Sequence, residues 1–349
     1  MNLLNMITPS RLSGAERVVG LLTAWENKNG HQATILIKNQ PKVVDWYREL
    51  GLQVYVENIS GKLNFGAVKR IRKIISQTNA KVVNTHLSTA SLWGCIAAQK
   101  EGVPGVAHVH ALNTKTAYRF ANRIIAVSNA VRDHLIAQGI RKDIIDVVRP
   151  VAPALDGAIP APAEDILALG ENIIVQVGHL SRKKGQSVAL QAAKEVWKSL
   201  PNVQFVFVGD GPDSDLLAKE SKGDPRVHFL GFRNDIMAIL AASRVAILPS
   251  LGMEGMPAVI QEAQYAGLPV IASNVGGVNE QINDGINGFL IEPGEPGALT
   301  QKILKLLSDK DSYYRISDAA KEWSHSLSFE ECCKDTMSVM NRAIEEYRK

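Results

Sequence analysis

Short runs of β-branched and apolar residues alternate with longer segments of helical period along almost the whole chain, and the alternation is played twice. "NLLNMI", "ATILIK", "QVYVEN", "KVVNTH", "GVAHVH" and "RIIAVS" read as strands, with "RVVGLLTAWENKNG" and "TASLWGCIAAQKEG" as helices between them. Strands that alternate with helices build a parallel sheet, because each return path needs a crossover. Residues 149–165 then interrupt the pattern with four prolines and no periodicity, as a linker would. After them the pattern restarts: "NIIVQVG", "VQFVFVG", "RVHFLG", "RVAILPS", "LPVIAS" and "GFLIEP" are strands, and "KKGQSVALQAAKEVWKSL" is a helix.

The reading is an α/β chain of two tandem Rossmann-like domains. Residues 1–155 form the first, residues 156–325 the second, and residues 326–349 an amphipathic helix that packs on the second or crosses back to the first. A length of 349 residues suits two such domains. Open parallel sheets bind ligands beyond the carboxyl ends of their strands, so two of them facing each other are expected to make a cleft.

Three cysteines, two of them adjacent at Cys332 and Cys333, point to a reduced, intracellular protein. The start shows no signal peptide and no apolar run approaches 18 residues, so a cytoplasmic protein is expected. Charge is divided unevenly: residues 1–150 hold 20 Lys and Arg against 9 Asp and Glu, the remainder 19 against 26. A basic first half suggests an anionic partner. "AVKRIRKIIS" concentrates it, with Lys69, Arg70, Arg72 and Lys73 among apolar residues at helical spacing. That segment reads as a solvated helix face or as a contact with the inner membrane surface. No motif for nucleic acid is present, and none is expected as a partner.

"MEGMPAVIQEA" carries Glu254 and Glu262 eight positions apart, just past the strand "RVAILPS". Pro257 suits the first position of a helix, which puts Glu262 about two turns inside. Eight residues at about 1.5 Å rise reach at most about 12 Å. Two carboxylates flanking one bond in a retaining glycosidase sit at roughly 5 Å. The spacing does suit a nucleotide-sugar along the helix start, with one carboxylate on sugar hydroxyls and the other on the ribose. The diphosphate would rest on free N–H groups between them. Pro257 has none, so Met256, Ala258 and Val259, with Gly255 beside them, are the candidates. Spacing alone equally fits a Glu254 that only complements the helix dipole and a Glu262 on the surface.

"VGHLSRKKGQ", with Arg182, Lys183 and Lys184, reads as a phosphate cradle or as a basic helix start. "PSRLSGAER" reads as a flexible loop between strand and helix, where Gly14 lets a ligand approach the backbone. The lack of G-x-G-x-x-G argues against a dinucleotide dehydrogenase. His110 ends "GVAHVH", and His108 lies on the same side of a regular strand. With no Cys, Asp or Glu at ligand spacing, no metal site is expected. No G-x-S-x-G, triad or P-loop occurs.

Taken together, Glu254 and Glu262 at their spacing, "GHLSRKKG", "VGDGP", "FLGF", "ILPS", "AGLPVIASNVGGVNEQINDGINGFL", "SGAERV" and "AVSNAV" resemble the family 4 retaining glycosyltransferases of GT-B architecture. The resemblance covers nearly the whole chain. It implies that Glu254 contacts the transferred sugar, Glu262 binds the ribose and Lys184 the diphosphate. His110 resembles the histidine near the reaction centre, Gly14 falls near diphosphate and acceptor, and Phe232 and Arg233 lie where the chain passes the base. Four departures stand out. His179 occupies the place of the usual phosphate-binding arginine, with Arg182 as a substitute. Ser13 replaces a glycine, Met256-Pro257 replaces Phe-Gly, and "VVRPVAP" lacks Pro-Asn-Gly.

The resemblance implies transfer of a sugar from a nucleoside-diphosphate sugar, a UDP-sugar by preference, to a glycan or lipid-linked acceptor in cell-surface polysaccharide or lipopolysaccharide assembly. It implies retained configuration, no cofactor and no metal. A sugar-nucleotide 2-epimerase and a non-catalytic nucleotide-sugar sensor remain as alternatives.

Overall fold

A computed structural model describes residues 1–61, 63–152 and 157–348. The chain divides into two compact units, Met1–Pro153 with Phe329–Lys349, and Ala154–Ser328. The boundary expected between residues 155 and 156 lies outside the described residues.

The first unit runs β1 (Asn2–Ile7), α1 (Gly14–Lys28), β2 (Gln32–Ile37), α2 (Pro41–Glu49), β3 (Val54–Val56), α3 (Gly66–Thr78), β4 (Val82–His86), α4 (Ser88–Lys100), β5 (Gly105–Val109), β6 (Arg123–Ala126), α5 (Asn129–Ala137) and β7 (Ile145–Val147). Among the described residues these strands form one all-parallel sheet in the order β3-β2-β1-β4-β5-β6-β7. The central strands are buried from end to end, as sheets covered on both faces require. β7 was not expected, because three residues at a sheet edge carry no readable period. β5 stops at Val109, so His110 is the first residue beyond it.

α1 begins at Gly14, earlier than the loop expected over residues 9–17 allows. Ser13 caps the helix, and its N–H donates to the Glu16 carboxylate at 3.0 Å. This is the S-x-x-E box that fixes a helix start.

The segment Phe329–Tyr347 belongs to this unit. Its Met337, Val339, Met340, Ala343 and Ile344 pack on Leu3, Val82, Val106 and Ile125 of the sheet. Burying such side chains contributes roughly 1.5–3 kcal/mol each, before entropy. Arg123 grips Glu346 through two hydrogen bonds of 2.7 and 2.8 Å, and Arg342 reaches Asp146 at 2.7 Å. The helix therefore crosses back.

The second unit runs α6 (Glu164–Leu167), β8 (Ile173–Val177), α7 (Gln186–Ser199), β9 (Gln204–Val208), α8 (Ser214–Glu220), β10 (Val227–Phe229), α9 (Ile236–Ala241), β11 (Val245–Leu248), α10 (Ala258–Tyr265), β12 (Val270–Ser273), β13 (Phe289–Ile291), α11 (Pro296–Ser308) and α12 (Lys310–His325), before the returning helix α13. Its sheet is also all parallel, in the order β10-β9-β8-β11-β12-β13. α6 takes the last residues expected as linker, and Ala163 N–H bonds the Ala238 carbonyl at 3.0 Å. In both sheets the strand order reverses once, between β1 and β4 and between β8 and β11. Ligands favour the carboxyl ends at such a switch.

Candidate functional site

In the second unit, the loops after β8, β11 and β12 interlock. Residues 182–184 form a single helical turn, and the Lys183 carbonyl accepts from Leu251 and Gly252 N–H at 2.8 and 3.1 Å. Gly185 makes this approach fit. It sits at φ +71°, and a Cβ there would lie 1.8 Å from the Pro249 carbonyl oxygen. Gly276 does the same at φ +57°, where a Cβ would lie 1.9 Å from the Glu254 carbonyl oxygen. Its neighbour Gly277 donates to that carbonyl at 3.0 Å.

The clamp holds one ion pair. Lys184 Nζ lies 2.9 and 3.0 Å from the two Glu254 carboxylate oxygens. Ser250 Oγ donates to the same carboxylate at 2.8 Å. Glu254 is 6 % exposed, and the ammonium and the hydroxyl supply the hydrogen bonds that a buried carboxyl needs.

α10 begins at Ala258, with Pro257 as its extended cap (φ −70°, ψ 116°) and not as its first helical residue. Glu262 is therefore the fifth residue, little more than one turn inside where two were expected, and half-buried. The N–H groups of Ala258 and Val259 lie in the first turn, where a helix offers no internal acceptor. Gly255 is buried and Met256 half-buried in the loop before them.

Arg182 is exposed, Phe232 is 52 % exposed beyond β10, and Gly14 is exposed at the start of α1 in the first unit. The Arg233 guanidinium is committed to Asp165 at 2.7 Å and to Asp235 at 2.8 Å. His179 Nδ1 meets the Asp210 carbonyl at 2.7 Å and so must donate. A neutral ring then presents a lone pair at Nε2, and only an imidazolium would donate from there to a phosphate.

In the first unit, His86 ends β4 beside His108 of β5, and His110 follows. His86 Nδ1 lies 3.0 Å from His110 Nε2. The His108 ring lies 4.8 Å from that of His86 and 4.7 Å from that of His110. Burial drives all three toward the neutral form: His110 falls to about 4, and His86 and His108 drop well below the usual histidine range.

One ligand atom from each ring lies within 4.8 Å of the others, the only grouping of potential metal ligands among the described residues. An ion would sit about 2.0–2.1 Å from every nitrogen, with each lone pair aimed at it. The His86 and His110 centroids are 5.2 Å apart with planes at 28°, while their nitrogens are 3.0 Å apart. The two nitrogens therefore lie at hydrogen-bond distance from each other.

Behind the rings runs a buried polar chain. Asn84 Nδ2 reaches His86 Nε2 at 3.0 Å and donates to Asn5 Oδ1 at 2.9 Å. Asn5 Nδ2 donates to Thr23 Oγ1 at 2.9 Å and to Glu26 Oε2 at 2.6 Å. Burial pushes the Glu26 carboxyl up to about 8, against the Asn5 hydrogen bond. His86, Asn84, Asn5 and Glu26 were not anticipated. The available signal was polar letters inside the apolar runs "NLLNMI" and "KVVNTH".

On α3, Ala67, Ile71, Ile74 and Ile75 face inward. Arg70 holds the Asn58 carbonyl and Arg72 bonds Glu101 at 2.6 Å, which leaves Lys69 and Lys73 as the exposed ammonium groups of the basic segment. Just before the helix, Leu63 is 83 % and Phe65 74 % exposed. No helix among the described residues is long and apolar enough to cross a membrane.

Residues 162–323 match the family description "Glycosyl transferases group 1", and residues 12–151 match "Glycosyltransferase Family 4". An Escherichia coli protein named UDP-Gal:alpha-D-GlcNAc-diphosphoundecaprenol alpha-1,3-galactosyltransferase is 31 % identical over 296 residues, 76 % of each chain. A 2-deoxystreptamine glucosyltransferase from Streptomyces kanamyceticus is 30 % identical over 284 residues, 70 % of this chain and 72 % of its own. Among solved structures, Anabaena HepE in complex with UDP and glucose superposes with a TM-score of 0.86 at 23 % identity, over 98 % of this chain and all of the other.

Proposed function

This chain belongs to the family 4 glycosyltransferases, and from that premise we propose that it moves a hexose from a UDP-sugar to a hydroxyl of a lipid-linked glycan, with retained configuration and without a metal ion. The observation that carries this reading is the Lys184–Glu254 pair at the mouth of α10. A diphosphate approaching the Ala258 and Val259 N–H groups competes with Glu254 for the Lys184 ammonium. Donor binding thus exchanges a lysine–carboxylate contact for a lysine–phosphate contact and frees the Glu254 oxygens for sugar hydroxyls.

In the reaction the bond from the anomeric carbon to the diphosphate oxygen breaks, and its electron pair stays with the phosphate. The acceptor oxygen bonds to the anomeric carbon on the face the diphosphate leaves, and its proton passes to the departing oxygen. Lys184 and the helix N–H groups meet the charge that grows there, which is the task a metal performs in other transferases. Glu262 takes the ribose, and His110 a sugar hydroxyl.

The uridine base and the lipid-linked acceptor rest on the names of relatives: UDP and undecaprenyl diphosphate appear in the E. coli relative's, and UDP in HepE's. The exposed Leu63 and Phe65 beside Lys69 and Lys73 suit an anionic membrane surface where such an acceptor resides.

The test is transfer from UDP-glucose and UDP-galactose in EDTA to a prenyl-diphosphate-linked sugar, with the product's anomeric configuration read by proton NMR. An α-linked product supports the reading. An inverted product, an epimerised donor without acceptor, or activity only with added metal sinks it. Flotation with anionic vesicles tests the surface: binding should weaken with salt and in Phe65→Ser. Equal binding to neutral vesicles removes the electrostatic part.

A further inference from the structure

Buried polar chains cost desolvation unless each member is satisfied, and what they give in return is a defined direction. The chain from Glu26 to His110 has one. An amide nitrogen only donates. Asn84 Nδ2 therefore makes His86 Nε2 an acceptor, and a neutral His86 must carry its proton on Nδ1. That N–H donates to His110 Nε2, so a neutral His110 carries its proton on Nδ1 as well.

The orientation of Asn84 is itself fixed. Its amide also donates to Asn5 Oδ1, and Asn5 spends both N–H groups on Thr23 and on Glu26 Oε2. Glu26 Oε2 accepts from Asn5 when the carboxyl is ionised or carries its proton on Oε1, and that acceptance sets the direction. The chain crosses the sheet where Asn5 and Asn84 are register partners on β1 and β4. Among the described residues His108 has no hydrogen-bond partner on either nitrogen, and it serves as the flat wall against which both other rings lie. His110 Nδ1 has no protein partner among the described residues, and His110 alone of the three residues is half-buried and not fully buried.

We propose that Asn84 and His86 are positioning residues that fix His110 as an Nδ1–H donor toward a hydroxyl of the transferred sugar. The sugar contact rests on the transferase reading; the tautomer does not. A histidine locked as a donor accepts no proton from the acceptor hydroxyl through that nitrogen, so its task is orientation and not base catalysis.

Nitrogen-15 NMR of the wild-type imidazoles reads the tautomers directly. Nδ1–H on both His86 and His110 is expected, and Nε2–H on either ring overturns the assignment. Asn84→Asp replaces the donor by an acceptor. His86 must then protonate Nε2, and His110 reverses with it. Turnover with a UDP-sugar should fall roughly ten- to hundred-fold with donor KM moved by less than about two-fold. Asn84→Ser, neutral and able to donate or accept, should show both tautomers and an intermediate kcat. It also serves if the aspartate variant does not fold. Reversed tautomers with unchanged kcat overturn the positioning role. A wild type that shows the expected tautomers but no transfer breaks the transferase reading instead.

Discussion

Along β1 and β4 the first unit gathers amides and imidazoles, whereas beyond β8 and β11 the second pairs an ammonium with a carboxyl group. Both sheets reverse strand order at that point, so topology alone puts a site in each. In the first unit, imidazoles pushed toward the neutral form end a chain of amides. In the second, Lys184 and Glu254 are bound at 2.9 Å under a hydroxyl. The difference matches two kinds of ligand. A phosphate is held by charge and helix N–H groups, at little cost in precision. A sugar hydroxyl is uncharged, and it is distinguished by which nitrogen donates. The second centre should therefore fail when a charge is removed, and the first when a direction is reversed.

Lys184→Ala should give the largest effect. It removes the one side-chain cation on Glu254 among the described residues, which is also the cation proposed for the diphosphate, and transfer should fall by roughly 10²–10³. Steady-state kinetics checks this, and activity within about two-fold of wild type would erase the contrast between the centres.

Glu26→Gln should act on stability and on its pH dependence. Burial raises the folded-state pKa of Glu26 from 4.5 to about 8. A carboxyl raised in this way favours folding fully only below its unfolded pKa, and that advantage is lost as pH climbs from about 4.5 to about 8. The variant does not titrate, so it should become the more stable protein by a few kcal/mol near pH 8 and lose the lead near pH 4.5. Urea melts at several pH values measure it; parallel curves would mean that Glu26 is not penalised by burial.

His108→Phe should give the smallest effect. It keeps a flat ring and removes two buried nitrogens that lack partners, so stability should rise by about 1 kcal/mol. A loss of several kcal/mol would show that the wall needs its nitrogens.

Much of the fold was legible because most strands are short runs dominated by apolar and β-branched residues, set between segments of helical period. "MEGMP" was legible for the same reason: it follows a buried strand and opens a helix. What the local pattern could not carry was pairing. Lys184 and Glu254 are 70 positions apart, and each looked separable until the loops met through Gly185 and Gly276. His86 gained meaning only from lying beside β5 in the sheet. The apolar stripe of α13 announced that it would pack, but not on which unit. Pro257 missed its expected place by one residue, because its extended ψ holds it at the cap.

The most direct test of the central claim is calorimetric titration of UDP in EDTA against wild type, Lys184→Ala and Glu254→Gln. The exchange of a carboxylate for a phosphate on Lys184 demands opposite outcomes. The alanine variant should bind UDP roughly ten- to hundred-fold more weakly. The glutamine variant, with its lysine released, should bind as tightly as wild type or more tightly while transferring sugar poorly. Wild-type affinity in Lys184→Ala, or the same loss of UDP binding in both variants, would contradict it.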